Sequence, residues 1–482
     1  MNSNNIEKNS GKKIAINGLF FAAYKLLNVL FPLITSVYVA RVLLPAGTGK
    51  VAYAQNIVTY FTLIASLGLP TYGTREIARV IEKKQEYNKT FWELFIINAL
   101  STSLCVLCYY SLCFLLPSFF IDRHLHIVAG LSIVLNYFNI DWLYQGREEY
   151  KYISIRGIII KILSVILLFI LVKEAKDYVL YAGIHCFVLG GNNLINIIGL
   201  RKRVGLCNTK LELSKHIKPL VILFATNVAI ELYTLLDTTM LGAMCEDEIV
   251  GYYSYAMKTT KIIVTVLAAI TAVMLPKLSD YHAKGNRSAY LTLANKGLQF
   301  VLLTSIPCAV LLFSNADLII QFLYGIEYMG AEKSMMILSV LIIPISLSTY
   351  LGTQVFCSSN LERRMLIAVT VGALSNILLN SILIRMYQHN GASVASVVSE
   401  CVVAIIEIIF AKTIVGLKYD FRLIITASVG AGAIYLVIMV IRQLMNEGFI
   451  TLVLSSSFGL LTYICVIFLL YRKIVLDLIH KK

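Results

Sequence analysis

Fourteen runs of some twenty residues or more, almost wholly apolar, fill this chain, and short turns carrying charge, Gly or Pro separate them. They cover residues 14–37, 51–71, 91–116, 125–144, 153–172, 178–200, 219–244, 250–275, 298–323, 334–357, 365–386, 391–415, 423–441 and 449–471. At a rise of about 1.5 Å per residue, about 20 helical residues cross the hydrocarbon core of a bilayer. Lipid offers backbone N–H and C=O groups no partner, so each run must satisfy them within itself, as a helix. With 58% hydrophobic residues, 14% charged residues and a mean hydropathy of +0.77, a soluble core does not account for so much apolar side chain. The expectation is an all-α integral membrane protein of about 14 transmembrane helices.

The net charge of +15 is then a matter of topology. With the N-terminus cytoplasmic, most of the 42 Lys and Arg fall on inward segments and few on outward loops, as the positive-inside rule requires. Both termini are expected in the cytoplasm, and the basic excess needs no nucleic acid to explain it. The polar start MNSNNIEKNSGKK leads into a full-length apolar run without a small-residue cleavage site, so the first helix is expected to stay. Cys105 and Cys108 form a CxxC without a His or a second pair to complete a zinc site, and read as apolar filler. No cofactor and no metal are expected beyond a coupling Na+ or H+.

No loop between runs exceeds about twenty residues, which leaves no room for a soluble catalytic domain. The segment GTGKV at Gly47 lacks the upstream Gly of a phosphate loop and has Val51 where a hydroxyl should follow Lys50, so transport driven by a gradient is expected rather than ATP hydrolysis. The chain also repeats itself. Gly49–Ala54 (GKVAYA) and Gly251–Ala256 (GYYSYA) each open an apolar run, and those runs close on Leu69-Pro70 and Leu275-Pro276. Six runs separate the matches, and an even offset makes the halves parallel repeats, as in transporters built from paired lobes. The expected organisation is two pseudo-equivalent six-helix lobes, 1–200 and 201–418, followed by two extra helices and a cytoplasmic tail at 419–482.

Charges inside the runs cost several kcal/mol each unless they meet partners or water. Lys25, Lys161, Lys258 and Lys261 lie too deep to be loop charges, and Glu231, Asp237, Glu400 and Glu407 are their counterparts. Two readings compete: buried ion pairs holding helices in register, and a hydrated cationic cavity. Lys258 and Lys261 are three apart and share a helix face, where they repel unless an anion or water lies between them, which favours the cavity. Glu231 is expected to partner a cavity lysine, Lys25 or Lys261. Asp237, six residues on, points about 120° away and needs a different role.

That role lies in a second constellation. Asn376 and Asn380 are four apart; Ser393, Ser396 and Glu400 follow i, i+3, i+7 spacing on the next run. Asp237, Asn380 and Ser396 lie at similar depths from the outer helix ends by the 1.5 Å rise. One carboxylate with amide and hydroxyl oxygens suits a sodium ion or a proton, while interhelical hydrogen bonding by Asn and Ser is the plainer alternative.

These blocks also carry a likeness. Val371–Glu400 resembles the G-x3-N-x3-N, then G-A-x-x-A-[ST]-x-x-[ST]-E signature of bacterial polysaccharide flippases. Asp141–Arg156 (DWLYQGREEYKYISIR), Leu236–Gly242, Val250–Lys258 and Arg41–Ala54 are similar to further blocks of that family, in order, over roughly residues 14–415. The first block departs from the usual R-x-L-G, with Leu44-Pro45 after Leu43, which puts the role of Arg41 in doubt. The resemblance is to the Wzx-type oligosaccharide flippases of the multidrug/oligosaccharidyl-lipid/polysaccharide superfamily. It implies movement of a polyprenyl-diphosphate-linked repeat unit across the bacterial inner membrane for O-antigen or capsule assembly, alongside a polysaccharide polymerase and other assembly proteins. Lys25, Lys161, Lys258, Lys261 and Glu231 would then bind substrate, the lysines facing the diphosphate. By likeness to lipid II flippases, Asp237, Asn376, Asn380 and Ser396 would bind the coupling ion. The alternative is a multidrug or small-molecule cation antiporter of the same superfamily, against which four intramembrane lysines count. A membrane polymerase or ligase is disfavoured by the short, Arg-poor outer loops.

Overall fold

The computed structural model describes the backbone of residues 3–119, 121–207 and 209–480, and their side chains except those of 3–30, 32, 33, 118, 226, 227, 229, 230, 232–234 and 471–480. Each of the fourteen apolar runs falls mainly on helix, with breaks inside the runs 51–71, 125–144 and 298–323. In chain order the helices are α1 (Ser3–Ser66), α2 (Leu69–Val80), α3 (Lys84–Leu115), α4 (Arg123–Leu135), α5 (Asp141–Gly146), α6 (Tyr150–Leu171), α7 (Tyr178–Leu200) and α8 (Ser214–Met244). They continue as α9 (Asp247–Ala272), α10 (Leu275–Ala283), α11 (Arg287–Ser314), α12 (Ala316–Leu323), α13 (Glu332–Thr349), α14 (Glu362–Phe410), α15 (Phe421–Leu444) and α16 (Phe449–His480). Among the described residues ten helical stretches are long and apolar enough to cross a membrane. The chain is an all-α, multi-pass membrane protein.

Two of these helices hold two runs each and break sharply between them. In α1 the break is Leu44, at φ 61 and ψ 173. A residue before proline is barred from the α region, and Pro45 restarts the helix with its φ already set. The Thr48 hydroxyl steadies the restart, 3.1 Å from the Leu44 carbonyl oxygen and 3.0 Å from that of Pro45. In α14 the break is Gln388, at φ 50 and ψ −128.

The sequence repeat has a structural counterpart. Leu69-Pro70 and Leu275-Pro276 both open a short helix, α2 and α10, with proline in the first turn where its missing N–H costs nothing. On α2 the buried residues Leu69, Tyr72, Gly73, Ile77 and Val80 recur at helical spacing and form one face.

The chain divides into two compact units, Met1–Leu232 and Tyr233–Lys482, with the boundary inside α8. In the first unit, the block Asp141–Arg156 is a polar brace. The Arg156 guanidinium, 4% exposed, donates to Asp141 at 3.0 Å and to Asn192 at 3.0 Å. Arg147 and Arg203 both donate to Glu149, at 2.8 and 2.7 Å. The start of α8 is tied to the same unit through fully buried Glu93, which accepts from the Glu212 backbone N–H at 2.7 Å, Lys215 at 2.8 Å and His216 at 2.9 Å. Lys50 of GTGKV pairs with Asp122 at 2.8 Å, a structural use for that lysine. Cys105 is buried and Cys108 exposed, so the CxxC does not present both sulfurs to one site.

In the second unit α15 and α16 are packed in. The Tyr463 hydroxyl on α16 donates to the Leu303 carbonyl on α11 at 2.9 Å, and Arg442 on α15 pairs with Asp317 on α12.

Candidate functional site

Asp237 lies near the end of α8, within the second unit and 7% exposed. Its surroundings begin with a glycine. Gly372 on the first arm of α14 faces Val403 and Ser399 on the second arm so closely that a Cβ there would stand 2.2 Å from Val403 Cγ2. Small residues let membrane helices approach and make polar contacts. One and two turns beyond Gly372, on the same face, come Asn376 and Asn380, 1% and 0% exposed. The second arm answers with Ala392, Ala395, Ser396 and Ser399, all buried.

The carboxylate of Asp237 is ringed by neutral donors. Its Oδ1 accepts from Asn376 Nδ2 at 3.0 Å and Asn380 Nδ2 at 2.6 Å. Its Oδ2 accepts from the Ser396 hydroxyl at 2.6 Å and the Tyr253 hydroxyl at 2.5 Å. Asn380 Nδ2 also donates to Asn376 Oδ1 at 3.0 Å. Among the described residues no Lys or Arg pairs with Asp237. Among the described residues Asn380 Oδ1 is buried without a hydrogen-bond partner. A buried polar atom left unpaired costs about 1–3 kcal/mol, so this oxygen suits a donor or a cation.

The structure thus brings Asp237, Asn376, Asn380 and Ser396 together. Sequence reasoning missed Tyr253, which completes the ring from α9. The GYYSYA repeat pointed to its segment, but depth was weighed only for charged and amide side chains. Ser393 turns away, donating to the His389 carbonyl at 2.8 Å.

The other expected site residues belong to both units. The side chain of Lys25 lies outside the described residues, and so does any pairing of it with Glu231. Lys161, in the first unit, holds its ammonium 5.4 Å from the centre of the Phe31 ring. Lys258 is half-buried with its ammonium 5.4 Å from the Tyr255 ring centre, and Lys261, three residues on, is exposed. Glu231 lines a cavity of the first unit. Glu407 is fully buried and packs where Gly352 has no side chain, and among the described residues no Lys or Arg pairs with it.

A family model described as "Polysaccharide biosynthesis protein" matches residues 14–282, more than half of the chain. The chain belongs to this family. A second model, MatE, matches residues 223–382. As a member of the polysaccharide biosynthesis family, the chain is 24% identical over 409 residues to the putative O-antigen transporter of Escherichia coli, covering 82% of this chain and 96% of that one. It is 25% identical over 247 residues to a probable low-salt glycan biosynthesis flippase of Haloferax volcanii, covering 50% of this chain and 51% of that one. Its fold is similar to that of lipid II flippase MurJ in an inward closed conformation, with a TM-score of 0.77 at 17% identity over 95% of this chain and all of that one. An inward-facing multidrug resistance MATE family transporter of the MOP superfamily matches with a TM-score of 0.64 at 13% identity, over 82% of this chain and 98% of that one. Its relatives are transporters and flippases by name rather than enzymes.

Proposed function

We propose that the protein is a flippase that moves a polyprenyl-diphosphate-linked oligosaccharide repeat unit from the cytoplasmic to the outer leaflet of the bacterial inner membrane, for O-antigen or capsule assembly, by ion-coupled alternating access. Both termini are cytoplasmic in this reading, and a polysaccharide polymerase takes the product. Family membership and the names of the relatives support the lipid-linked glycan. The observation that carries the ion coupling is the Asp237 ring, a buried carboxylate surrounded by neutral groups with one amide oxygen unpaired.

Such a ring suits an ion that must bind and leave. A buried carboxylate held by Lys or Arg is already neutralised, whereas one held only by neutral donors leaves its charge to be balanced by an arriving cation. For sodium, the oxygens of Asp237, Asn376, Asn380 and Ser396 are the ligand set, and the orphaned Asn380 Oδ1 fits a cation's need for oxygen. The ion is cargo here, and its arrival changes the charge that the second unit carries within the membrane.

Substrate handling falls to the lysines. A diphosphate cannot enter hydrocarbon without compensating charge. Lys258 and Lys261 share a helix face and supply point charges rather than a bidentate fork, which attracts the anion without holding it rigidly. Lys25 and Lys161 add positive charge in the first unit, and Glu231 contacts the glycan rather than the diphosphate.

Lipid-linked repeat unit incorporated into the inner leaflet of proteoliposomes tests this reading. Vesicles carrying the protein should expose the glycan to glycosidase added outside, and protein-free vesicles should not. Equal exposure in both would refute it.

A further inference from the structure

One end of the second unit is strongly basic. The segments 276–297, 358–364 and 416–422 follow the eighth, tenth and twelfth apolar runs, so they emerge on the same side of the membrane as the residues that precede the first run. Together they carry eight Lys or Arg against three Asp or Glu. At this end lies a cavity of about 370 Å³, within the range of about 300–1,000 Å³ that small-ligand sites occupy. We infer that it holds the headgroup phosphate of an anionic phospholipid, with Arg287 as the counter-charge. This site is additional to the flippase reading and stands without it.

The polar side of the cavity comes from Tyr281 and His282 near the end of α10 and from Arg287 at the start of α11. Gly285 turns the chain between the two helices at φ 68, and nothing lies within 4 Å of where its Cβ would stand, so the mouth is open there. Arg287 is exposed, and its guanidinium reaches over the chain at Gly416, with Nη2 3.5 Å from where a Cβ would stand. Tyr290, 4% exposed, makes a fixed floor. Its hydroxyl donates to the Val355 carbonyl at 3.0 Å and lies 2.7 Å from the Ser359 hydroxyl, and its ring meets that of His282 edge-on, with centres 6.0 Å apart. Asp280 pairs with Lys284 at 2.8 Å, which answers its charge.

An anion in this place meets the planar fork of N–H donors on Arg287, the imidazole of His282 and the positive end of the α11 dipole. Arg binds phosphate in bidentate fashion, which gives direction as well as charge. The other side of the cavity is apolar. Leu361 comes from the link between α13 and α14, and Ile414 and Val415 from the π-helical turn Ala411–Val415 that follows α14. Ile414 and Val415 also end the twelfth apolar run, so the cavity sits where hydrocarbon gives way to water. A phospholipid places its phosphate and glycerol at that depth, and basic pockets between membrane helices take such headgroups. An inorganic ion has no use for the apolar wall. A lipid bound here would also brace α14 at both ends, since Leu361 precedes its first arm and Val415 follows its second.

Equilibrium binding to the full-length protein in detergent tests the site with four probes: phosphatidylglycerol, phosphatidylcholine, inorganic phosphate and bare polyprenyl diphosphate. Phosphatidylglycerol should bind several-fold more tightly than phosphatidylcholine. Arg287→Gln should erase that preference, and Ile414→Trp, which narrows the cavity and leaves every charge in place, should weaken phosphatidylglycerol several-fold. Arg422→Gln removes an exposed cation of the same basic end that does not line the cavity, and it should keep the preference. Equal binding of the two phospholipids by the unaltered protein, or equal loss of preference in Arg422→Gln and Arg287→Gln, would overturn the site in favour of a diffuse basic surface. Displacement of phosphatidylglycerol by an equal concentration of inorganic phosphate would assign the cavity to a free ion. Loss of polyprenyl diphosphate binding in Arg287→Gln would assign it to the transported lipid, and either result would overturn the phospholipid site. Absence of glycan transfer in proteoliposomes would sink the flippase reading and leave this site standing.

Discussion

Asp237 Oδ1 and Asn380 Nδ2 meet at 2.6 Å across 143 residues of sequence, and the oxygen of that same amide, Asn380 Oδ1, is buried without a partner. This pairing depends on how closely the two arms of α14 approach. Gly372→Ala should spread them, because the new methyl would stand 2.2 Å from Val403 Cγ2. The expected outcome is a loss of about 1–3 kcal/mol in stability from overpacking, with a weaker response of transport to the ion gradient than in the unaltered protein. Thermal unfolding in detergent and gradient-driven transfer measure the two effects, and an unchanged protein by both would show that the arms have slack.

Leu44 sits at φ 61, ψ 173, backbone that costs a residue with a Cβ about 1–3 kcal/mol. The family block that this segment resembles has Gly there, and the side chain is 37% exposed, so little packing depends on it. Leu44→Gly should raise stability by about 1 kcal/mol once the greater freedom of Gly in the unfolded chain is counted. A fall in the unfolding midpoint would mean that Leu44 packs more than its exposure indicates.

Glu149 lies between the spanning segments Arg123–Gly146 and Tyr150–Leu171. Burial opposes its charge, but hydrogen bonds from Arg203 and Arg147 outweigh burial and hold its carboxyl below the usual 4.5. A depressed carboxyl stabilises the fold fully above its unfolded value, and the contribution is lost as pH falls through the folded one. The unaltered protein should therefore be more stable than Glu149→Gln at neutral pH, and the two should converge below about pH 4.5 as the carboxyl takes up its proton. Parallel stability curves across that range would show that the arginines contribute nothing through this charge.

Much of this molecule was legible because the bilayer makes sequence speak plainly. Runs of apolar residues marked the long helices, since lipid permits no other way to satisfy their backbone. Asn376, Asn380 and Ser396 were legible as a group because i, i+4 spacing fixes a face and helical rise fixes a depth. What stayed hidden depends on contacts between helices. Tyr253 carries no charge to betray its depth, and an aromatic residue in an apolar run gives no sign of where its hydroxyl ends. The Asp141–Arg156 pair crosses from α5 to α6, so no periodicity announces it. The cavity of the first unit was illegible for the same reason, since its lining comes from separate helices.

Lys258 and Lys261 test substrate handling. Lys261 is exposed and Lys258 half-buried, so neither ammonium is needed for packing. Replacing either by Ala should cut transfer of the lipid-linked glycan at least tenfold while membrane abundance changes little. Collapse of abundance in both variants would assign them to structure instead.

The ion-coupling claim rests most directly on Asp237→Asn, which keeps the size of the side chain and removes its charge. In proteoliposomes with imposed sodium or proton gradients, transfer by the unaltered protein should rise several-fold with at least one gradient, and transfer by Asp237→Asn should be the same with and without either. An Asp237→Asn protein that responds to both gradients as fully as the unaltered one would contradict the account.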